Sequence, residues 1–339
     1  MRALVIALTL SACGRFGFDE TSSGPDAAIA EPRLCDPHTI GTLDLTGETA
    51  VKLRATQLST GWAVAIQSDT LNTYLVRLDS AGAFAGRHNA LVGGYALQGI
   101  SQLQDRPFVF VFVEGAGYIK LLAPDWESYD TGPASQLSSM DPQQAIASTG
   151  DYAIVGSINN DQLVIQGLDV NNTILGQADY APPATFASFG AIPTGARVVV
   201  EKDGVCTTFA IDDDGPTGPR HQFSPCFQPR LATLGNEGSI LYQTSQEGPL
   251  ALHQIPVDAA AAGNTIPLEI GSNPRISTID GAIWVGYLRG AGTLRLHRFS
   301  DEAQAVHDDE SITSSFDLIP SGLFSVTPTG ELHAALPCL

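Results

Sequence analysis

Short apolar runs, each set off by a turn residue, recur along the chain at a spacing close to 43 residues. They occupy 62–66, 107–113, 152–155, 196–200, 239–242, 282–287 and 323–326. Six of the seven follow a glycine (Gly61, Gly150, Gly195, Gly238, Gly281 and Gly322), and Arg106 stands where the remaining one would be. The steps from Gly150 onward are 45, 43, 43 and 41 residues, and the step of 89 from Gly61 to Gly150 is two periods. After a short turn each run is followed by an alternating segment, such as 74–78, 162–166, 250–253 and 294–297. Alternation of apolar and polar positions is the period of a half-buried strand, and no helical period appears beyond the first residues of the chain.

Weaker third and fourth segments complete each unit, as at 275–279. Four short strands repeated at this period are the signature of a β-propeller blade, so the sequence predicts an all-β, seven-bladed propeller of four-stranded blades over 35–339. The last unit contains only three strands, near 316–319, 323–326 and 332–336. A blade without its outermost strand leaves an unpaired edge. Residues 38–46 form one strand with no unit of their own, and placed fourth in the last blade they close the ring. The competing fold is a pair of β-sandwich domains. A content of 34 Gly and 21 Pro with 16% charged residues suits many tight turns.

The amino terminus has a different pattern. Met1 and Arg2 precede an apolar run over 3–10 and the small residues Ser11 and Ala12. This reads as a secretory signal over 1–12, too short to span a bilayer. The stretch Leu10-Ser11-Ala12-Cys13 resembles the lipobox of bacterial lipoproteins. The resemblance implies cleavage before Cys13, acylation of its thiol, and a membrane connection through that lipid. Gly14, where inner-membrane lipoproteins of this kind carry aspartate, implies sorting to the outer membrane. Residues 13–34 show neither period and read as a flexible tether of roughly 25 Å end to end. Loss of Arg2 takes the formal net charge from −19 to −20. Such acidity argues against nucleic acid as a partner.

Four cysteines remain, and four allow three pairings. The strand order selects one. Cys206 and Cys226 flank a hairpin in the fourth blade, while Cys338 ends the third strand of the last blade and Cys35 precedes its proposed fourth. The expected bonds are therefore Cys206–Cys226 and Cys35–Cys338.

Propellers carry their sites at the end where the first strands begin. Arg54, Arg230 and Arg275 recur there, the last two in the matching stretches Gln228-Pro229-Arg230-Leu231 and Asn273-Pro274-Arg275-Ile276. Three guanidinium groups at an axial mouth can hold an anionic ligand bidentately. The plainer expectation, which the sequence favours, pairs each with a carboxylate between blades. His253 and His297 occupy equivalent positions in neighbouring units, too far apart to share a metal ion. They are expected on the polar side of their strands. Runs Asp212 to Asp214 and Asp308 to Glu310 lack the alternating spacing of a calcium loop. Neither a metal nor a cofactor is expected.

No Gly-x-Ser-x-Gly elbow is present. Glu114, Asp161, Glu201 and Glu247 fall between second and third strands, where a glycoside hydrolase or lyase would need its carboxylates. Trp62 and Trp284 are expected to pack blades, while Trp126 is less constrained. The sequence thus points to a monomeric binding or scaffolding module at the cell envelope, with an envelope protein or polysaccharide as partner. Its architecture resembles that of propeller lipoproteins that assist outer-membrane protein assembly. The alternative is a propeller enzyme acting on polysaccharide.

Overall fold

The computed structural model describes residues 34–89, 94, 96–113, 116–121, 136–137, 145–148, 153–159, 162–169, 174–180, 183–192, 195–212, 215–235, 237–255, 263–290, 292–299 and 304–338. Cys13 and the predicted signal and tether up to residue 33 lie outside them. The domain 32–339 forms one compact unit.

Strand β1 (His38–Thr42) is followed by six antiparallel sheets of four consecutive strands each. The first sheet holds β2 (Ala50–Leu58), β3 (Gly61–Ser68), β4 (Thr73–Asp79) and β5 (Phe84–Asn89), and the second β6 (Ala96–Leu103), β7 (Arg106–Val113), β8 (Ala116–Leu121) and β9 (Gln136–Leu137). The third comprises β10 (Ala145–Ser148), β11 (Ala153–Asn159), β12 (Gln162–Leu168) and β13 (Ile174–Tyr180); the fourth β14 (Phe186–Ile192), β15 (Gly195–Lys202), β16 (Val205–Asp212) and β17 (Gly215–Phe223). The fifth is β18 (Phe227–Leu234), β19 (Glu237–Gln243), β20 (Leu250–Ile255) and β21 (Asn264–Pro267); the sixth β22 (Ser272–Ile279), β23 (Ala282–Arg289), β24 (Thr293–Phe299) and β25 (Gln304–Ile312). The seventh contains β26 (Ser315–Ile319), β27 (Gly322–Val326) and β28 (Glu331–Ala335), and its fourth member is β1, which pairs antiparallel with β28.

First strands of successive sheets lie against one another from β2 through β6, β10, β14, β18 and β22 to β26, and β26 lies against β2. The second strands are the most buried: every residue of β3 and β27, and all of β23 but its last, is buried. Alternating positions of such a strand must be apolar on both faces because a neighbouring sheet covers each. The core accordingly consists of separate layers between sheets. Leu53, Trp62, Val64, Phe324 and Val326 fill the space between the seventh and first, and Trp284, Leu294, Phe316 and Leu323 that between the sixth and seventh. Both tryptophans pack blades as expected, and Trp62 Nε1 donates to Ser321 Oγ at 2.7 Å.

The recurrent glycine has a steric cause. Gly61, Gly195 and Gly322 open second strands with φ of 141°, 147° and 152°, outside the range comfortable for a residue bearing Cβ. A Cβ at Gly322 would stand 2.8 Å from the Ala335 carbonyl oxygen of the third strand. Before Arg106 the chain solves the same turn with Gln104 and Asp105 at positive φ, which is why the period survives the missing glycine.

Inner strands leave an edge of backbone groups facing the axis, and side chains of the preceding sheet satisfy part of it. Leu53 N–H donates to Ser315 Oγ at 2.9 Å, Ala55 N–H to Asp317 Oδ2 at 3.0 Å, and Leu231 N–H to Ser188 Oγ at 3.0 Å. Both expected disulfides are present, Cys35–Cys338 with Cα atoms 5.1 Å apart and Cys206–Cys226 with Cα atoms 5.6 Å apart.

Candidate functional site at the propeller mouth

Because the strands alternate in direction, the starts of all first strands and the turns joining second to third strands lie at one end of the sheets. The stretches Gln228-Pro229-Arg230 and Asn273-Pro274-Arg275 are bulges at that end. Pairing of β18 with β19 shifts register between Phe227 and Arg230, and pairing of β22 with β23 shifts between Ser272 and Arg275. Gln228 and Asn273 take φ of 49° and 52°. A bulge leaves a residue unpaired, bends the strand and re-aims the next side chain. Here it aims an arginine. In β2 the shift falls between Ala50 and Lys52, so Lys52 and Arg54, two apart, share one face of the strand.

These side chains converge. Arg54 is close enough to depress the proton affinity of Arg230 and Arg275, Arg230 depresses that of Arg275, and all three feel Asp317 of β26. Burial is the first cause in all three: it pushes Arg230 down to about 10 and Arg275 well below the usual guanidinium range. Lys52 is held down to about 7, first by burial and then by Arg54, Arg275 and Arg230. Sequence reasoning missed both Lys52 and Asp317.

The pairing of each arginine with its own carboxylate is not what the structure contains. Arg275 Nε lies 3.3 Å from Asp317 Oδ1, with the two side chains 11% and 12% exposed. Arg54 Nη1 donates to its neighbour's carbonyl, Leu53 O, at 2.7 Å, and Arg275 Nη1 to Pro274 O at 2.8 Å. The Arg230 guanidinium rests over the Phe186 ring, 4.5 Å from its centroid. Among the described residues no carboxylate makes an ion pair with Lys52, Arg54 or Arg230. Three arginines from three inner strands thus share a single carboxylate from a fourth, with Lys52 beside the arginines, in a chain whose formal net charge is −19.

Beside this cluster, between the fourth and fifth sheets, lies a cavity of about 480 Å³. Phe186 and Phe227 supply aromatic surface to it, and Gln228, Gln246, Asp203 and Glu247 supply polar atoms. Glu201, one of the carboxylates placed by sequence in these turns, also lines it but is committed to the fold: Oε1 accepts from Gly204 N–H at 3.0 Å and Oε2 from Thr185 Oγ1 at 3.1 Å. Glu247 is exposed in its turn. Glu114, Asp161, Trp126, and the side chains of Asp212 to Asp214 and of Asp308 to Glu310 lie outside the described residues.

His253 and His297 are buried, contrary to the expectation of a polar face. His253 stacks on Phe223 with centroids 4.4 Å apart, and its Nε2 meets His221 Nε2 at 3.3 Å. His297 stacks on Tyr287 and Phe299, and its Nε2 lies 2.7 Å from Tyr287 Oη. The partners of His253 come from the outer strand β17 of the adjacent sheet, whereas those of His297 lie in its own sheet, on β23 and β24.

No protein-family model matches the chain, and no curated protein does. Solved structures do resemble it. BamB from Moraxella catarrhalis is 14% identical, with 85% of each chain covered and a TM-score of 0.53. Hydrazine synthase of Kuenenia stuttgartiensis is 14% identical over 88% of this chain and 97% of its own, with a TM-score of 0.60. The Dos1 propeller is 8% identical over 89% and 95%, with a TM-score of 0.56. At these identities the likeness concerns architecture alone, and with the seven four-stranded sheets it establishes that the chain is an all-β propeller.

Proposed function

We propose that this protein is a lipid-anchored module of the bacterial cell envelope that binds an anionic ligand at the mouth of its propeller without transforming it. The cationic cluster carries this reading. Positive charges crowded together in a half-buried site with one carboxylate among them are costly to hold, and an anion that pairs with them offsets that cost. The guanidinium groups of Arg54, Arg230 and Arg275 provide the forked donors that carboxylate, sulfate and phosphate groups accept from. The overall charge of the chain repels anions at long range, so selection rests on desolvated contacts at the mouth rather than on steering.

Anchoring through Cys13 is the second part of the reading, carried by the lipobox-like stretch and by an outer-membrane sorting signal at Gly14. The protein would act as a monomer, with an envelope polysaccharide or an acidic protein segment as partner. Glycoside hydrolysis, the competing reading, requires a pair of carboxylates free to act. Glu201 is occupied in holding its own turn, which favours binding over catalysis.

Titration of the purified full chain with inorganic sulfate tests the site. Arg54→Gln/Arg230→Gln leaves the Arg275–Asp317 pair in place and is expected to weaken sulfate binding at least tenfold without lowering the melting temperature. Unchanged binding would overturn the reading. Incorporation of labelled palmitate, lost in Cys13→Ser, tests the anchor.

A further inference from the structure

Phe186 joins two features of the mouth. One face of its ring carries the Arg230 guanidinium, and the same side chain lines the cavity of about 480 Å³ between the fourth and fifth sheets. Gln228, two residues before Arg230 on β18, lines the cavity as well. We infer that cavity and cluster are the two halves of one binding site, and that its ligand is an acidic saccharide whose acid group reaches the guanidinium groups while its hydroxyls occupy the cavity. This rests on the anion-binding reading above and names the class of ligand.

The lining decides between ligand classes. The volume lies within the range of small-molecule sites, and is far more than a bare phosphate or sulfate ion would fill. An apolar ligand would strand the side chains of Gln228, Gln246, Asp203 and Glu247 without partners, each a desolvation loss. A cationic ligand would suit Asp203 and Glu247 but meet the unpaired cluster next to them. A purely anionic polymer would suit the cluster but face those carboxylates. Hydroxyl groups resolve the conflict: they donate to carboxylates, both donate to and accept from amides, and leave C–H faces for Phe227. The orientation follows, with hydroxyls toward Asp203 and Glu247 and the acid toward Arg230.

Binding of digalacturonate, its neutral analogue galactobiose, and inorganic sulfate to the full chain tests the inference. Wild type should hold digalacturonate at least tenfold more tightly than galactobiose. Gln246→Ala/Glu247→Ala, in an exposed turn, should weaken digalacturonate at least fivefold and leave sulfate unchanged, whereas Arg230→Gln should weaken both anions. Equal binding of the acidic and neutral sugars, or digalacturonate binding untouched by the double variant while Arg230-dependent sulfate binding persists, overturns the shared site and leaves the cationic cluster standing. Failure of both anions to respond to Arg230→Gln overturns the cluster as a site, and this inference with it.

Discussion

The axial mouth and the network around Glu269 in the sixth sheet both gather ionisable side chains, but they treat them oppositely. In the sixth sheet Tyr287 Oη donates to Glu269 Oε1 at 2.9 Å and is met by His297 Nε2, while Arg295 and Arg289 pair with the same carboxylate. Burial raises the Tyr287 hydroxyl's pKa, and its hydrogen bond to Glu269 adds to that; for Glu269 burial opposes, but the donors and the two arginines hold the carboxyl below its usual range. Both arginines of this network have their counterpart in Glu269. At the mouth, the three arginines all feel one carboxylate, Asp317, and Lys52 feels the arginines but no acid. Paired networks of the first kind specify a packing. The positive excess of the second kind packs against Phe186 and Asp317 but is not neutralised among the described residues, which is the observation the proposed ligand rests on.

The contrast can be broken most forcefully at Asp317. Asp317→Ala removes the partner of Arg275 and the acceptor of Ala55 N–H, and is expected to cost about 3–5 kcal/mol in urea unfolding. Added sulfate should recover part of that loss, since it replaces the missing negative charge. In the paired network Tyr287→Phe should cost about 1–3 kcal/mol, because Glu269 and His297 each lose a buried partner; sulfate should give no recovery there. An equal rescue of both variants would erase the distinction.

Two pH profiles sharpen the comparison at smaller amplitude. Lys52 titrates near 7 in the folded chain against 10.5 for an unperturbed lysine, so between these values the unfolded state holds more protons. Stability should therefore rise with pH from 7 to 10 in wild type relative to Lys52→Met, as read from melting temperatures. His253 is lowered by burial first and by His221 second. The unfolded state again binds the proton more strongly, so its contribution is present above about pH 6.5 and lost on acidification. His253→Phe should flatten the acid limb of the melting profile, and this is the smallest effect expected.

Much of the architecture was legible because each unit obeys the same local constraints. The glycines Gly61 and Gly322 before second strands are forced by a close approach to the third strand, and the Gln-Pro-Arg and Asn-Pro-Arg stretches repeat because each is a bulge. The cysteine pairing followed from strand order alone. The composition of the mouth was only half legible. Asp317 lies in a five-residue strand that has no bulge motif, and its relation to Arg275 and Ala55 depends on which first strands become neighbours around the axis. Lys52 stands in no repeated motif and owes its place to a bulge two residues before Arg54. The expectation of one carboxylate per arginine failed because residue counts of a whole chain say nothing of how few acids reach the axis.

The junction of β1 with β28 has a mechanical consequence. Cys35 precedes β1, and its bond to Cys338 ties it to the segment that follows β28. A load applied to the chain from the amino-terminal side would otherwise peel β1 from its sheet one hydrogen bond at a time, the weakest way to pull on a strand. With the bond in place, the load crosses to the carboxy-terminal segment before it reaches β1. The outermost strand is thereby spared, and the force is shared by the whole last sheet. Under the anchoring and ligand binding proposed above, that is the property the attachment point would need.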